Sequence, residues 1–302
     1  MNAQEAVRLA LANHTIIPAF NIPYLPMVEP VVRAIVDENS VAMVQVARLE
    51  WEKFESQSPE AVAEAYFKYC KEGYTLLHLD HVPVIDEDQK PVEYLPILER
   101  AMKCGYQSVM VDGSRLPLAE NIAVTQKAAE LAAKYGVAVE AELGAVAGHE
   151  GSGIGLSYET LFATKQGFTK VEEAKEFAEK SGCDWLSVAV GSFHGAIAAS
   201  TKHLKKPEAR LDIAHIEELA AATGHMPLVL HGGSGIKQSY ILDGIQAGIA
   251  KINVATEIRQ PYEFALEERP GDVSYACEKV YERTRWVIHE FLHTTNNHDI
   301  LK

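Results

Sequence analysis

Several of the features that would point to common function classes are missing from this chain. Cysteine is scarce: Cys70, Cys104, Cys183 and Cys277 are scattered through 302 residues with no Cys-x-x-Cys pair. That excludes a disulfide framework and leaves reduced, structural thiols as the reading. Positive charge is also short, with 28 Lys and Arg against 42 Asp and Glu and a formal net charge of −14. Nucleic acid and anionic membrane surfaces both demand clustered positive charge, so neither is expected as a main partner. No apolar run reaches the ~18 residues of a membrane span. The start of the chain, Met1–Arg8, lacks a basic region followed by a cleavable apolar core, and a cytoplasmic location is expected. No GxGxxG follows the first apolar run and no Walker-type lysine motif occurs, which disfavours a doubly wound nucleotide-binding sheet.

What is present is a rhythm. With 47% hydrophobic residues the chain can bury a large core. Residues 2–13 have the spacing of a short amphipathic helix, with Ala6, Leu9, Ala10 and Asn13 on one face. Short apolar runs then alternate with helical stretches to the end. The runs Ile16–Ile22, Val41–Ala47, Leu76–His81, Ser108–Asp112, Val137–Leu143, Trp185–Val190, Pro227–His231 and Lys251–Ala255 read as strands. Helices are expected near 28–39, 59–72, 92–104, 118–135, 171–181, 212–223, 238–247 and 257–267. Tyr135-Gly136 and Ser181-Gly182 each close a helix just before a strand. Eight strands alternating with helices predict an α/β fold, a (β/α)8 TIM barrel, with an N-terminal helix and extra C-terminal helices over 272–295. No linker interrupts the pattern, so residues 1–302 are expected to form one domain. Loops spanning 144–170 and 195–210 are longer than a barrel needs, and long loops at the ends of barrel strands are usually functional.

In a barrel the C-terminal ends of the strands converge on one mouth. Here they carry Asn21, Arg48, Asp80-His81, Asp112, Glu140, Glu142, His194, His231 and Asn253. The run Leu77-His78-Leu79-Asp80-His81 stands out, because desolvating two ionisable groups at a buried strand end is costly unless they are partnered. His81, His194 and His231 follow strands three, six and seven. Three neutral imidazoles with an open fourth position match a catalytic zinc site. His78 reads as a satisfied core residue, and the remaining histidines, in helices or loops, as mostly surface. Gly191–Gly195, His231-Gly232-Gly233-Ser234-Gly235 and Asn253–Thr256 form a second group. Glycines let backbone N–H groups approach an anion, and the loops after strands seven and eight are a common phosphate site in barrels.

Taken in order, Leu77–His81, Ser108–Ser114, Glu140–Gly144, Phe193–Gly195, His231–Gly235 and Lys251–Glu257 resemble the class II, zinc-dependent ketose-bisphosphate aldolases of the tagatose-/fructose-bisphosphate branch. The resemblance implies Zn2+ held by His81, His194 and His231, with Glu142 as an alternative or second-sphere partner. It implies that Gly195, Gly232, Gly233, Ser234, Asn253 and Thr256 hold the phosphate of a dihydroxyacetone-phosphate unit, often with a monovalent cation, Na+ or K+, nearby. Asn21 and Asp112 are grouped with these substrate-binding positions. Asp80 resembles the family's acid/base, which takes the C4 hydroxyl proton in cleavage, and Glu150 the glutamate that exchanges the C1 proton. The partner implied is a small phosphorylated sugar, and the assembly a homodimer or homotetramer.

The chain also departs from that pattern. Val82 follows His81 where glycine is usual, and Asp86-Glu87-Asp88 is inserted after it. Ala147-Gly148, Gly151, Ala47-Arg48 and Phe193 also replace the common residues. These changes bear on the aldehyde half of the substrate, where Arg48, Arg259 and Lys202, Lys205 and Lys206 are candidates to hold a distal anion. A Schiff-base aldolase needs a lysine near a strand's C-terminal end. Strand six has none, and Lys251 is expected to open strand eight at the opposite end of the barrel. A non-catalytic subunit that stabilises a related aldolase is the second reading. A zinc hydrolase is the third, disfavoured because the first strand lacks a His-x-His pair.

Overall fold

Strand alternation decides how this chain closes. In a computed structural model describing residues 1–144, 158–192, 209–233 and 235–302, eight strands occur among the described residues. They are β1 (Ile17–Asn21), β2 (Ala42–Ala47), β3 (Thr75–Pro83), β4 (Ser108–Asp112), β5 (Ala138–Leu143), β6 (Trp185–Val188), β7 (Leu228–Leu230) and β8 (Ile249–Val254). All pair in parallel in sequence order, and β8 returns to β1, so the sheet is a closed barrel. The expected (β/α)8 fold is the observed one.

One set of alternating residues faces out. Phe20, Val44, Val46, Leu77, Leu79, Val109, Val111, Leu186, Val188, Leu230 and Ile252 pack under the surrounding helices in one continuous core. The other set fills the barrel in layers. Ile17, Ala19, Met43, Leu76, Ala138, Trp185 and Val229 form an apolar floor, closed from below by Ala3, Ala6, Val7 and Ala10 of α1 (Ala3–Ala12). Asn2 caps that helix by accepting the N–H of Glu5 at 2.8 Å. Higher positions on the same inward set carry His78, Gln45, Ser108, Glu140 and Lys251, all fully buried. The uppermost carry Asn21, Asp80, Glu142, His231 and Asn253.

The helices outside are α2 (Val28–Asp37), α3 (Arg48–Lys53), α4 (Pro59–Tyr69), α5 (Tyr94–Lys103), α6 (Leu118–Ala133), α7 (Tyr158–Thr164), α8 (Val171–Lys180), α9 (Ile213–Ala222), α10 (Gln238–Ala247), α11 (Thr256–Glu268), α12 (Val273–Trp286) and α13 (Asn297–Ile300). The extra C-terminal helix α12 packs on α11 and α2 and runs into a π turn, Val287–Phe291. Glu38, just past α2, ties this region down by accepting from Arg285 at 2.6 Å and Thr295 at 2.8 Å. Among the described residues no helix is long and apolar enough to cross a membrane.

Three expectations need correction. The segment 144–170 is not all loop, because α7 occupies Tyr158–Thr164. Strand eight begins at Ile249, so Lys251 does not open it but sits inside the barrel, fully buried. His215, taken for a surface residue, is buried and donates from Nε2 to the Thr169 carbonyl at 2.7 Å.

Candidate active site at the C-terminal mouth

The mouth of the barrel holds a cavity lined by Asn21, Asp80, His81, Asp112, His231 and Asn253, with the Gly232-Gly233 turn and the start of α11 on one side and α3 on another. Strand parity should send Asp80 and His81 to opposite faces. They share the mouth because β3 carries a bulge. Leu79 pairs with Val109 but Val82 with Val111, so β3 has one more residue than β4 across that step. His81 takes up the irregularity with φ of +29°, a value side-chain-bearing residues rarely adopt.

Asp80 is held from two sides. Asn21 Nδ2 donates to its Oδ2 and Asn253 Nδ2 to its Oδ1, each at 2.9 Å. Asn21 is itself fixed, since Gln45 Nε2 donates to its Oδ1 at 2.7 Å. Asn253 Oδ1 accepts from Lys251 Nζ at 2.6 Å. Burial alone would raise the Asp80 carboxyl, but His81, His231 and Lys251 hold it below the usual range.

Lys251 also reaches Glu140 Oε2 at 2.9 Å, an ion pair with neither side chain exposed. Trp185 Nε1 donates to the same oxygen at 2.6 Å, and His231 Nε2 to Glu140 Oε1 at 2.9 Å. Burial works against the charge on Glu140, but Lys251 and the His231 bond bring it well below the ordinary value. His78 bonds Ser108 Oγ through Nδ1 at 2.8 Å, and burial followed by Lys251 pushes it down to about 3. It is a buried core residue, as expected, but only partly satisfied: its Nε2 lies 3.6 Å from Glu140 Oε2 and makes no hydrogen bond among the described residues. Glu140, read among the strand ends, therefore belongs with this buried layer.

His231 turns its other nitrogen, Nδ1, toward Glu142 Oε2 at 3.1 Å. An imidazole with one nitrogen oriented by a carboxylate and the other turned into the site is the usual posture of a metal ligand. His81 meets His231 edge to face, with ring centroids 4.6 Å apart, and its Nδ1 lies 3.3 Å from Asp112 Oδ2 and 3.8 Å from Glu142 Oε2. Burial opposes charge on His81, yet Asp80, Asp112 and Glu142 raise it to about 10. Donor atoms of Asp80, His81 and His231 lie within 4.8 Å of one another, as do those of His81, Asp112 and Glu142. Two imidazoles and carboxylates at this spacing fit a divalent cation that accepts nitrogen and oxygen ligands.

Asp112, grouped in the sequence with substrate binding, stands beside these metal-competent groups, its Oδ1 accepting from Ser114 N at 3.0 Å and Oγ at 2.6 Å. Gly232, Gly233, Asn253 and Thr256 line the cavity together on the β7–β8 side. Gly233 packs so closely that a Cβ there would lie 2.8 Å from Ile252 Cδ1. Arg48 and Arg259 also line the cavity, each engaged with a carboxylate: Arg48 with Glu52 at 2.8 Å, Arg259 with Glu263 at 2.7 Å. Glu150, His194, Gly195 and Ser234 lie outside the described residues, as do Lys202, Lys205 and Lys206.

Sequence reasoning missed Glu50. It is buried in α3, lines the cavity, and accepts from Ala47 N at 2.8 Å and Asn21 Nδ2 at 3.2 Å.

A parallel barrel whose mouth gathers histidines and carboxylates defines a barrel enzyme with its site at the strand ends. The sequence matches the family described as fructose-bisphosphate aldolase class-II over residues 1–298, and the chain belongs to that family. It is an aldolase, a lyase acting on a carbon–carbon bond. The fructose-bisphosphate aldolase of Streptococcus pyogenes serotype M1 is 29% identical to it over 304 aligned residues, spanning 95% of this chain and 91% of the relative. Among solved structures, the YdjI aldolase of Escherichia coli K12 superposes with a TM-score of 0.76 at 26% identity, covering 96% of this chain and 97% of that one. The fructose-bisphosphate aldolase of Campylobacter jejuni, at 17% identity, shares the fold with a TM-score of 0.71 over 96% of this chain and 94% of its own.

Proposed function

We propose that this aldolase is zinc-dependent and reversibly cleaves a phosphorylated ketose to dihydroxyacetone phosphate and an aldehyde. The observation that carries the reading is the meeting of Asp80, His81 and His231 within 4.8 Å, with both oxygens of Asp80 held by amides. Zinc is assigned to His81 and His231, with Glu142 beside them and His194 supplied by the family resemblance. When bound, it supplies the electrophile that retro-aldol cleavage needs at the substrate carbonyl.

The chain's own residues do the rest. Asp80 takes the C4 hydroxyl proton in cleavage and returns it to the aldehyde oxygen in condensation. Its ionised state at neutral pH suits a base, and the Asn21 and Asn253 amides hold it in one orientation. Glu150 exchanges the C1 proton. Gly195, Gly232, Gly233, Ser234, Asn253 and Thr256 bind the phosphate, aided by Na+ or K+. The enzyme acts in the cytoplasm as a homodimer or homotetramer. A non-catalytic stabilising subunit is disfavoured, because it has no need of a carboxylate clamped by two amides beside paired imidazoles.

A panel of ketose mono- and bisphosphates, coupled to detection of dihydroxyacetone phosphate, tests the proposal. At least one sugar should release it with the zinc-loaded protein, and Asp80→Asn should release it slower by about 10²-fold or more. No release across the panel would contradict the reading.

A further inference from the structure

The proton chemistry proposed above leaves one buried carboxyl of the cavity unused. Glu50 is 7% exposed and lines the cavity with Arg48, Phe54, Asp80, Glu87 and Arg115, on the wall built by the segments after β2, β3 and β4. Its Oε2 accepts from Ala47 N and from Asn21 Nδ2, the amide that also donates to Asp80. Among the described residues no hydrogen bond reaches its other oxygen.

Among the described residues, the arginines that line this side are already engaged. Arg48 pairs with Glu52 at 2.8 Å, Arg259 grips both oxygens of Glu263 at 2.7 and 2.8 Å, and Arg115 Nη1 donates to the Ile85 carbonyl at 2.8 Å. A second phosphate, at the far end of the sugar, would here meet carboxyls and arginines that already have partners. Desolvating it against such a wall is costly. A hydroxyl meets no such obstacle, since a carboxyl exchanges a hydrogen bond with it in either protonation state. Burial pushes the Glu50 carboxyl up to about 8; the Ala47 bond opposes this and Asp80 adds to it, so near neutral pH the group can donate as well as accept.

We propose that Glu50 is a specificity-determining residue for the aldehyde half of the substrate. It recognises a hydroxyl beyond the cleaved bond and selects ketose 1-phosphates with an uncharged far end over the corresponding bisphosphates. The inference rests on the aldolase reading given above.

The test uses the zinc-loaded full chain and matched pairs: fructose 1-phosphate against fructose 1,6-bisphosphate, the tagatose pair, and sedoheptulose 1-phosphate against the 1,7-bisphosphate. In at least one pair kcat/KM should favour the monophosphate by about tenfold or more, the scale on which a site built for a hydroxyl discriminates. Glu50→Ala should collapse that ratio by lowering the monophosphate value, whereas Glu50→Gln, which keeps an acceptor for Ala47 and a polar group in the cavity, should preserve most of it. Equal losses on both members of each pair would mark Glu50 as a helix cap only and overturn the proposal. If Glu50→Ala does not fold, the wild-type ratio decides: a preference for the bisphosphate in every pair overturns it. Release of dihydroxyacetone phosphate from no sugar at all would instead overturn the aldolase reading.

Discussion

Asp80 and His81 are neighbours in the chain, yet both present donor atoms to one cavity, within 4.8 Å of each other and of His231. The bulge in β3 and the φ of +29° at His81 make this possible. Backbone in that region carries a cost for a residue with a side chain, and such conformations gather at functional sites. On the function proposed above, the pair divides the work of the site: His81 as a metal ligand and Asp80 as the proton-transfer group, delivered by one strand.

That division gives the first prediction. Asp80→Asn should keep metal stoichiometry and lower kcat by about 10²–10⁴, the span typical of a lost general base. His81→Ala should lose both metal and turnover. Metal content by plasma emission alongside steady-state kinetics separates them.

Asn21 ties three partners together: Gln45, Asp80 and Glu50. Asn21→Ala leaves a buried donor and two buried acceptors each short of a bond. A stability loss of about 1–3 kcal/mol is expected in urea unfolding. Freed from one side, Asp80 should also be misplaced, with kcat down on the order of 10²-fold.

Lys251 and Glu140 form an ion pair with no exposed surface. Removing one partner strands a buried charge, so Lys251→Met should cost about 3–5 kcal/mol in chemical denaturation. Combining it with Glu140→Gln should cost less than the sum of the two single changes, because the stranded charge is gone.

Glu38 offers a pH signature away from the mouth. Burial alone would raise its carboxyl, but the Thr295 hydroxyl, Arg285 and His289 lower it below the ordinary value. A depressed folded value means stability that is present above the unfolded range, near ~4.3, and lost as pH falls through the folded value. Glu38→Gln should therefore be less stable than wild type at pH 7, with the gap closing as the medium is acidified below that range. Thermal unfolding at stepped pH measures it.

The sequence alone makes much of this architecture legible. Ser108–Asp112 and the helix over 238–247 have the expected bounds, because turn residues and changes of period mark them sharply. Asp80, His81 and His231 come together at the mouth, Asp80 and His81 from the C-terminal half of β3 and His231 from just past β7. Lys251 lies inside the barrel and not at a strand's start for a physical reason: a lysine looks like a strand's polar start, and only closure of the barrel brings Glu140 to neutralise it. Glu50 gave no signal, as it follows β2 among Arg48, Glu52 and Lys53 and reads as a solvated helix face. Its burial depends on Asn21, 29 residues away in sequence, and on the packing of α3 over the mouth. Nothing in the local sequence of Asp112 shows that His81 stands beside it, because the contact spans two strands.

Metal-dependent carbon–carbon cleavage at this mouth is open to one decisive measurement. Dihydroxyacetone phosphate release from the best ketose phosphate is followed before chelation, after exhaustive chelation, and after zinc is returned. Activity should disappear on chelation and come back with zinc; activity unchanged by exhaustive chelation would rule out a metal-dependent reaction.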